Sequence, residues 1–151
     1  MSFKEISIKD LNINPFLTIG QDWFLITAGD EIKVNTMTAS WANMGVLWGE
    51  DVIISYIRPQ RYTKEFIDTN DCFSISFFNG MKKEMALLGK ISGRDTDKIK
   101  EANLVFIVLK IYIDTIKPEC FLDTSLDEKW YTQRDHHTIY VARIKKIYTK
   151  E

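Results

Sequence analysis

The segment Cys72 to Phe78 sets Phe73, Ile75 and Phe77 against Ser74 and Ser76. That period of two predicts a strand with one face on a core. A longer run repeats it, with Val105, Ile107, Leu109, Ile111 and Ile113 on one face and Lys110, Tyr112 and Asp114 on the other. Val52 to Ile57 is rich in β-branched residues and is stopped by Pro59, as a strand would be. Phe24 to Thr27 and Glu31 to Val34 predict two strands around a turn at Gly29-Asp30, where glycine takes a positive φ at little cost. A last strand fits His137 to Ile147. The predicted helices are short. Thr63 caps Lys64 to Asp68, Asn79 or Gly80 starts Met81 to Leu88 ahead of Gly89, and Thr96 caps Asp97 to Ala102. Strands with short helices between them predict a mainly β fold, a small antiparallel barrel or sandwich with helical decorations. The regular alternation with long helices that marks a βαβ array does not occur.

Composition narrows the picture. The 151 residues fit a single domain over 1–151, of a size that buries roughly 68–70% of its unfolded surface. A hydrophobic share of 45%, with nine Phe and four Trp, supplies a core. The net charge of −1, with both signs spread along the chain, argues against nucleic acid and against a polybasic membrane contact. No apolar stretch approaches the ~20 residues that span a bilayer, and charged residues stand near the N-terminus where a signal peptide would be apolar. The expected location is cytoplasmic. Cys72 and Cys120 have no metal spacing and read as buried, inert thiols.

Two segments carry most of the chemistry. Arg58-Pro-Gln-Arg-Tyr-Thr63 places two guanidinium groups three residues apart where a strand gives way to a helix. Guanidinium forks, free backbone N–H groups and a Thr63 hydroxyl suit a phosphate. The same residues also read as a turn whose arginines sit in water. Asn35-Thr-Met-Thr-Ala-Ser-Trp41 follows a strand-like run. Continued as a strand, it turns Asn35, Met37, Ala39 and Trp41 one way and Thr36, Thr38 and Ser40 the other. The hydroxyl row suits phosphate or ribityl oxygens, backbone groups suit the polar edge of a ring, and Trp41 or Trp48 suits its face. A half-buried strand with a polar outer face is the plainer alternative. Ser92-Gly-Arg-Asp-Thr-Asp-Lys98 is dense in capping residues and reads either as a connection or as Arg94 and Lys98 closing over an anion. In Asp135-His136-His137 the adjacent histidines point apart on a strand, so they do not share a metal. One of them, oriented by Asp135, can offer a ligand a hydrogen bond or a proton. Dinucleotide, P-loop and nucleophile-elbow glycine motifs are missing.

Asn35 to Trp41, Arg58 to Thr63 and Ser92 to Lys98 stand in the order and rough spacing of the flavin reductase-like, FMN-binding split-barrel family that includes flavoredoxin, and the chain resembles that family. Ile116-Lys-Pro118, Phe121-Leu-Asp123, Trp130-Tyr131 and Asp135 through His137 to Tyr140 extend the likeness, which runs from about Phe24 to Ile147. It implies a Greek-key split barrel that forms a homodimer and binds FMN noncovalently near the subunit interface. By position, Thr36, Met37, Thr38, Ala39, Ser40 and Trp41 would line the isoalloxazine and ribityl chain. Arg58, Arg61, Tyr62 and Thr63 would hold the phosphate end. Ser92, Arg94 and Lys98 would complete the site, and His137 falls where the family often has a catalytic-site histidine. Three departures bear on the substrate side. The chain enters its long strand directly after Leu104, Ala142-Arg143 replaces a common Gly–Glu pair, and Ala42-Asn43-Met44 follows the Trp41 motif.

The implied activity is an NAD(P)H-dependent flavin reductase in which hydride passes through FMN. An FMN electron carrier for a protein redox partner is the alternative, and a flavin-binding module without turnover a third. The hydride chemistry belongs to the cofactor, so a nicotinamide can dock on the flavin without a nucleotide domain of its own.

Overall fold

The computed structural model describes residues 2–78, 80, 83 and 102–151. Eight strands in this set form one antiparallel sheet: β1 (Phe3–Ile6), β2 (Phe24–Gly29), β3 (Val34–Ala39), β4 (Ala42–Leu47), β5 (Glu50–Ile57), β6 (Cys72–Phe77), β7 (Leu104–Thr115) and β8 (Thr138–Lys150). The helices α1 (Pro15–Gly20), α2 (Thr63–Thr69) and α3 (Thr124–Trp130) are one to two turns long.

The strand order is β3-β2-β6-β7-β8-β5-β4. The outer half of β8 pairs with β1 at Ile147 to Lys150, while Thr138 to Arg143 pairs with β5. Its two ends, β3 and β4, are consecutive in the chain and separated only by Ser40 and Trp41. A connection that short holds Ala39 and Ala42 within about 11 Å of each other. The sheet therefore has to curl until its edges converge at that corner, yet no ladder joins β3 to β4. The result is a split barrel. Register shifts in β7 at Ile107/Val108 and Lys110/Tyr112 help the curl, since an extra residue bends a strand and adds twist.

The interior holds Phe24, Ile26, Ile53, Ile57, Phe73, Ile75, Phe77, Phe106, Val108 and Tyr140. Phe77 packs obliquely on Phe24 and edge-on against Phe106. Tyr140 is fully buried, and its hydroxyl donates to Asp68 Oδ1 at 2.5 Å, so the ring fills the core while its one polar atom is satisfied. Buried Ile67 is α2's contribution to this core, and Ile19 is α1's. A second, smaller cluster of Leu25, Phe78, Ala102 and Val105 covers the other face of β2 and β7.

Most strand expectations hold for β2, β5, β6 and β8. Others shift. Glu31 to Lys33 belong to a turn, because the Asp30 carboxylate accepts from the backbone N–H groups of Ile32 and Lys33 and so draws the chain round. The paired strand starts at Val34. In β7 the core side chains are Leu104, Phe106 and Val108, the opposite parity from the run that starts at Val105. Apolar residues occupy both faces there because both are covered, and the bulges then change which face later residues take. β1, β4, α1 and α3 were not anticipated. Thr63 is the first residue of α2 rather than its cap. Cys72 and Cys120 are exposed, not buried. Of the expected helix over Met81 to Leu88 only Lys83, which is helical, is among the described residues; the start of the one at Asp97 lies outside them, and Ala102 is not helical.

Candidate functional site

The β3–β4 corner opens onto a cleft of about 190 Å³ lined by Met37, Thr38, Ala39, Ser40, Trp41, Tyr56, Arg58, Arg61, Trp130 and His137. The lining side chains converge from several elements. The corner supplies the first five, β5 supplies Tyr56, and Arg58 follows its last residue. Arg61 stands in the turn before α2, Trp130 ends α3, and His137 precedes β8. α3 forms here because Asp123 caps it by accepting from the Ser125 N–H at 3.1 Å.

Arg58 is held firmly. It pairs with Asp135 at 2.7 Å, donates to the Trp130 carbonyl at 2.9 Å and lies over the Tyr131 ring at 5.1 Å. Gln60 donates to the same Asp135 carboxylate at 2.7 Å. These two partners, Gln60 foremost and then Arg58, hold the Asp135 carboxyl below the usual carboxylate range. Arg61 is exposed, and no ion pair involves it among the described residues. One guanidinium is thus built into the wall while the other reaches the cleft from its rim.

His137 is buried, with Nδ1 at 2.7 Å from the Tyr131 hydroxyl. Burial, followed by the Arg58 charge, lowers its pKa to about 4, so the imidazole is neutral at physiological pH. Trp41 packs on it at 5.1 Å and meets Trp130 edge-on at 5.0 Å. Beyond this tryptophan pair lies an apolar recess of about 430 Å³. It shares Ser40, Trp41, Tyr56 and Trp130 with the cleft and is walled by Phe121, Leu126 and Tyr131. The cleft alone is smaller than the ~300–1,000 Å³ typical of small-molecule sites; cleft and recess together fall within that range.

The structure brings together Met37, Thr38, Ala39, Ser40, Trp41, Arg58, Arg61 and His137. It places four of the sequence-derived candidates elsewhere. The Thr36 hydroxyl bonds Thr27 Oγ1 at 2.9 Å. Tyr62 accepts from Lys33 Nζ at 2.6 Å and packs edge-on against Phe66, away from the cleft. Thr63 is buried, and its hydroxyl accepts from Asn35 Nδ2 at 2.8 Å, a bond that ties β3 to α2. Trp48 sits at the β4–β5 turn against Tyr112 and not over the cleft. Ser92, Arg94 and Lys98 lie outside the described residues. His136 and His137 do have separate surroundings, but Asp135 orients neither. His136 Nε2 meets Asp127 Oδ1 at 2.5 Å, while Asp135 serves Arg58.

Tyr56 and Trp130 line the cleft without having been singled out for it. Trp130 could be read from the Trp130-Tyr131 pair beside the histidines. Tyr56 looks like any strand residue until its hydroxyl is seen donating to Asn43 Oδ1 at 2.5 Å across the corner.

No family model and no curated protein matches the chain. Solved structures do. An FMN-binding protein from Thermus thermophilus, with bound p-hydroxybenzaldehyde, superposes with a TM-score of 0.66 at 18% identity over 98% of this chain and 82% of that one. Flavoredoxin from Methanosarcina acetivorans gives 0.62 at 22% identity, covering 94% and 76%. The styrene monooxygenase flavin reductase of Pseudomonas putida S12 gives 0.61 at 17%, covering 86% and 80%. The chain has the FMN-binding split-barrel fold of the flavin reductases and flavoredoxins. At these identities the likeness concerns the fold, and the chemistry has to be argued from the cleft.

Proposed function

We propose that the protein binds FMN noncovalently in the cleft at the β3–β4 corner and acts as an NAD(P)H-dependent flavin reductase. The observation that carries this reading is the convergence of Arg58, Arg61, the corner residues Thr38 to Trp41 and a neutral His137 in one cleft, on a fold shared with FMN proteins. Arg61 and Arg58 suit the phosphate, since guanidinium–phosphate bonds are charge-assisted and geometrically matched. α2 is too short, and its Thr63 hydroxyl too committed, to add much to that hold. The corner backbone and Ser40 suit the polar ring edge and ribityl chain. Trp41 and Trp130 suit the ring face and exclude water from it. When bound, the flavin would supply the hydride chemistry; the chain binds, orients and shields it. Ser92, Arg94 and Lys98 are proposed to complete the phosphate end.

Leu122, Leu126 and Trp130 are exposed beside the site and favour a second reading, a carrier that docks a protein redox partner there. Val46, Trp48, Tyr112 and Ile113 form another exposed apolar set and support the proposed homodimer, which sedimentation would test.

The test of function is an anaerobic visible spectrum of the FMN-loaded protein before and after NADH, then NADPH. Bleaching within seconds is expected of a reductase. A bound flavin that stays oxidised until a protein donor is added would replace it with the carrier, and no retained FMN would end both readings.

A further inference from the structure

We propose that Tyr131 sets the tautomer of His137, so that this histidine meets the ligand of the cleft as a neutral Nε2–H donor. The argument begins with a count of protons. The Tyr131 hydroxyl carries one, and His137 Nδ1 stands 2.7 Å from it. Among the described residues no other acceptor is hydrogen-bonded to that hydroxyl, so a proton on Nδ1 would leave the phenol's own proton without one. Burial raises the phenol's pKa, so the proton stays on the oxygen and is available to donate. A hydroxyl that donates to Nδ1 leaves the ring's own proton on Nε2. With Nδ1 tied back, Nε2 is the nitrogen that remains for a ligand in the cleft His137 lines.

The tyrosine is itself clamped. Its ring stacks on His136 at 4.3 Å between centroids, nearly parallel at 22°. His136 is fixed at both nitrogens, by Asp127 Oδ1 at 2.5 Å and the Arg134 carbonyl at 3.3 Å. Arg134 returns to the other Asp127 oxygen at 2.7 Å. Arg58 covers the Tyr131 ring from the cleft wall at 5.1 Å. Asp127, His136 and Arg58 thus hold a hydroxyl whose one task is to aim a ring nitrogen. This explains why two adjacent histidines, both buried, have such different partners.

The consequence is a rule for the ligand. The atom it brings to His137 must be an acceptor, a carbonyl oxygen or an unprotonated ring nitrogen, and an N–H there would face an N–H. A flavin edge offers such acceptors. That identification rests on the reading given above, whereas the tautomer does not.

The tautomer is read directly by long-range proton–nitrogen correlation NMR of the wild-type apoprotein labelled at histidine, at neutral pH. His137 is expected protonated on Nε2 with Nδ1 as acceptor, and in Tyr131→Phe a mixture of tautomers is expected. A proton on Nδ1 in the wild type, or an unchanged His137 signal in Tyr131→Phe, overturns the proposal. The wild-type spectrum alone decides it if the variant fails to fold. Binding supplies the second readout. His137→Gln keeps an N–H near the place of Nε2 and is expected to hold FMN within about twofold, whereas His137→Ala loses about 3–10-fold, the value of one hydrogen bond. Equal losses for Gln and Ala would remove the donor role. FMN that never binds, with the expected tautomer present, would defeat the flavin reading and leave the tyrosine lock standing.

Discussion

Replacing Arg61 separates binding from folding. Its side chain lines the cleft from an exposed position, and Arg61→Ala breaks no ion pair among the described residues. A charge-assisted hydrogen bond contributes about 1.5–3 kcal/mol, which converts to a loss of roughly 10–150-fold in FMN affinity. Riboflavin has the same ring and ribityl chain without the phosphate, and its affinity should change about twofold or less, within the few tenths of a kcal/mol expected of surface changes. Arg58→Ala should look different. It breaks the 2.7 Å pair with Asp135 and the bond to the Trp130 carbonyl, leaving a carboxylate with only Gln60 and the end of α3 untethered. FMN affinity and the melting temperature of the apoprotein should therefore fall together. Flavin-fluorescence titrations with both ligands, beside thermal melts of both apoproteins, make the comparison. If Arg61→Ala weakens FMN and riboflavin alike, or lowers the apoprotein's melting temperature as much as Arg58→Ala does, the assignment of Arg61 to the phosphate is wrong.

Other outcomes follow from the same structure. Phe106→Ala removes a fully buried ring between Phe77 and the strands around it and should cost about 3–5 kcal/mol in a urea melt; a cost below ~1 kcal/mol would mean that the barrel interior is not packed there. His137 has a folded pKa of about 4 against about 6.5 for an unperturbed histidine, so between those values the unfolded chain takes up a proton that the folded chain refuses. Stability should fall as pH drops from 6.5 toward 4 and be unaffected by this group above 6.5, and His137→Gln should flatten the upper part of that slope; an equally steep slope in the variant would place the proton uptake elsewhere. Tryptophan emission should be quenched on FMN binding through Trp41 and Trp130, and Trp130→Phe should reduce the quench; unchanged quenching would move the ring away from the tryptophan pair.

The strands that bury one face, β6 above all, were legible in the sequence because a side-chain period of two records a local choice between core and solvent. The arginines at 58 and 61 and the corner from Met37 to Trp41 were legible too, since the chemistry of those side chains does not depend on where the chain goes. What the pattern alone could not decide was parity in β7. Both of its faces are covered at Leu104 to Val108, and the bulges then shift the register. Nor could it show that Thr63 spends its hydroxyl on Asn35, twenty-eight residues back, or that Tyr62 turns to Lys33. Such pairings exist only once β3 and α2 lie side by side. The cleft is of the same kind. Ser40 and Trp41 meet Trp130 and His137 because the two ends of a curled sheet are joined by two residues. Residue types and local periods are properties of the chain; which hydroxyl faces a ligand is decided by neighbours that only tertiary packing brings within hydrogen-bonding distance.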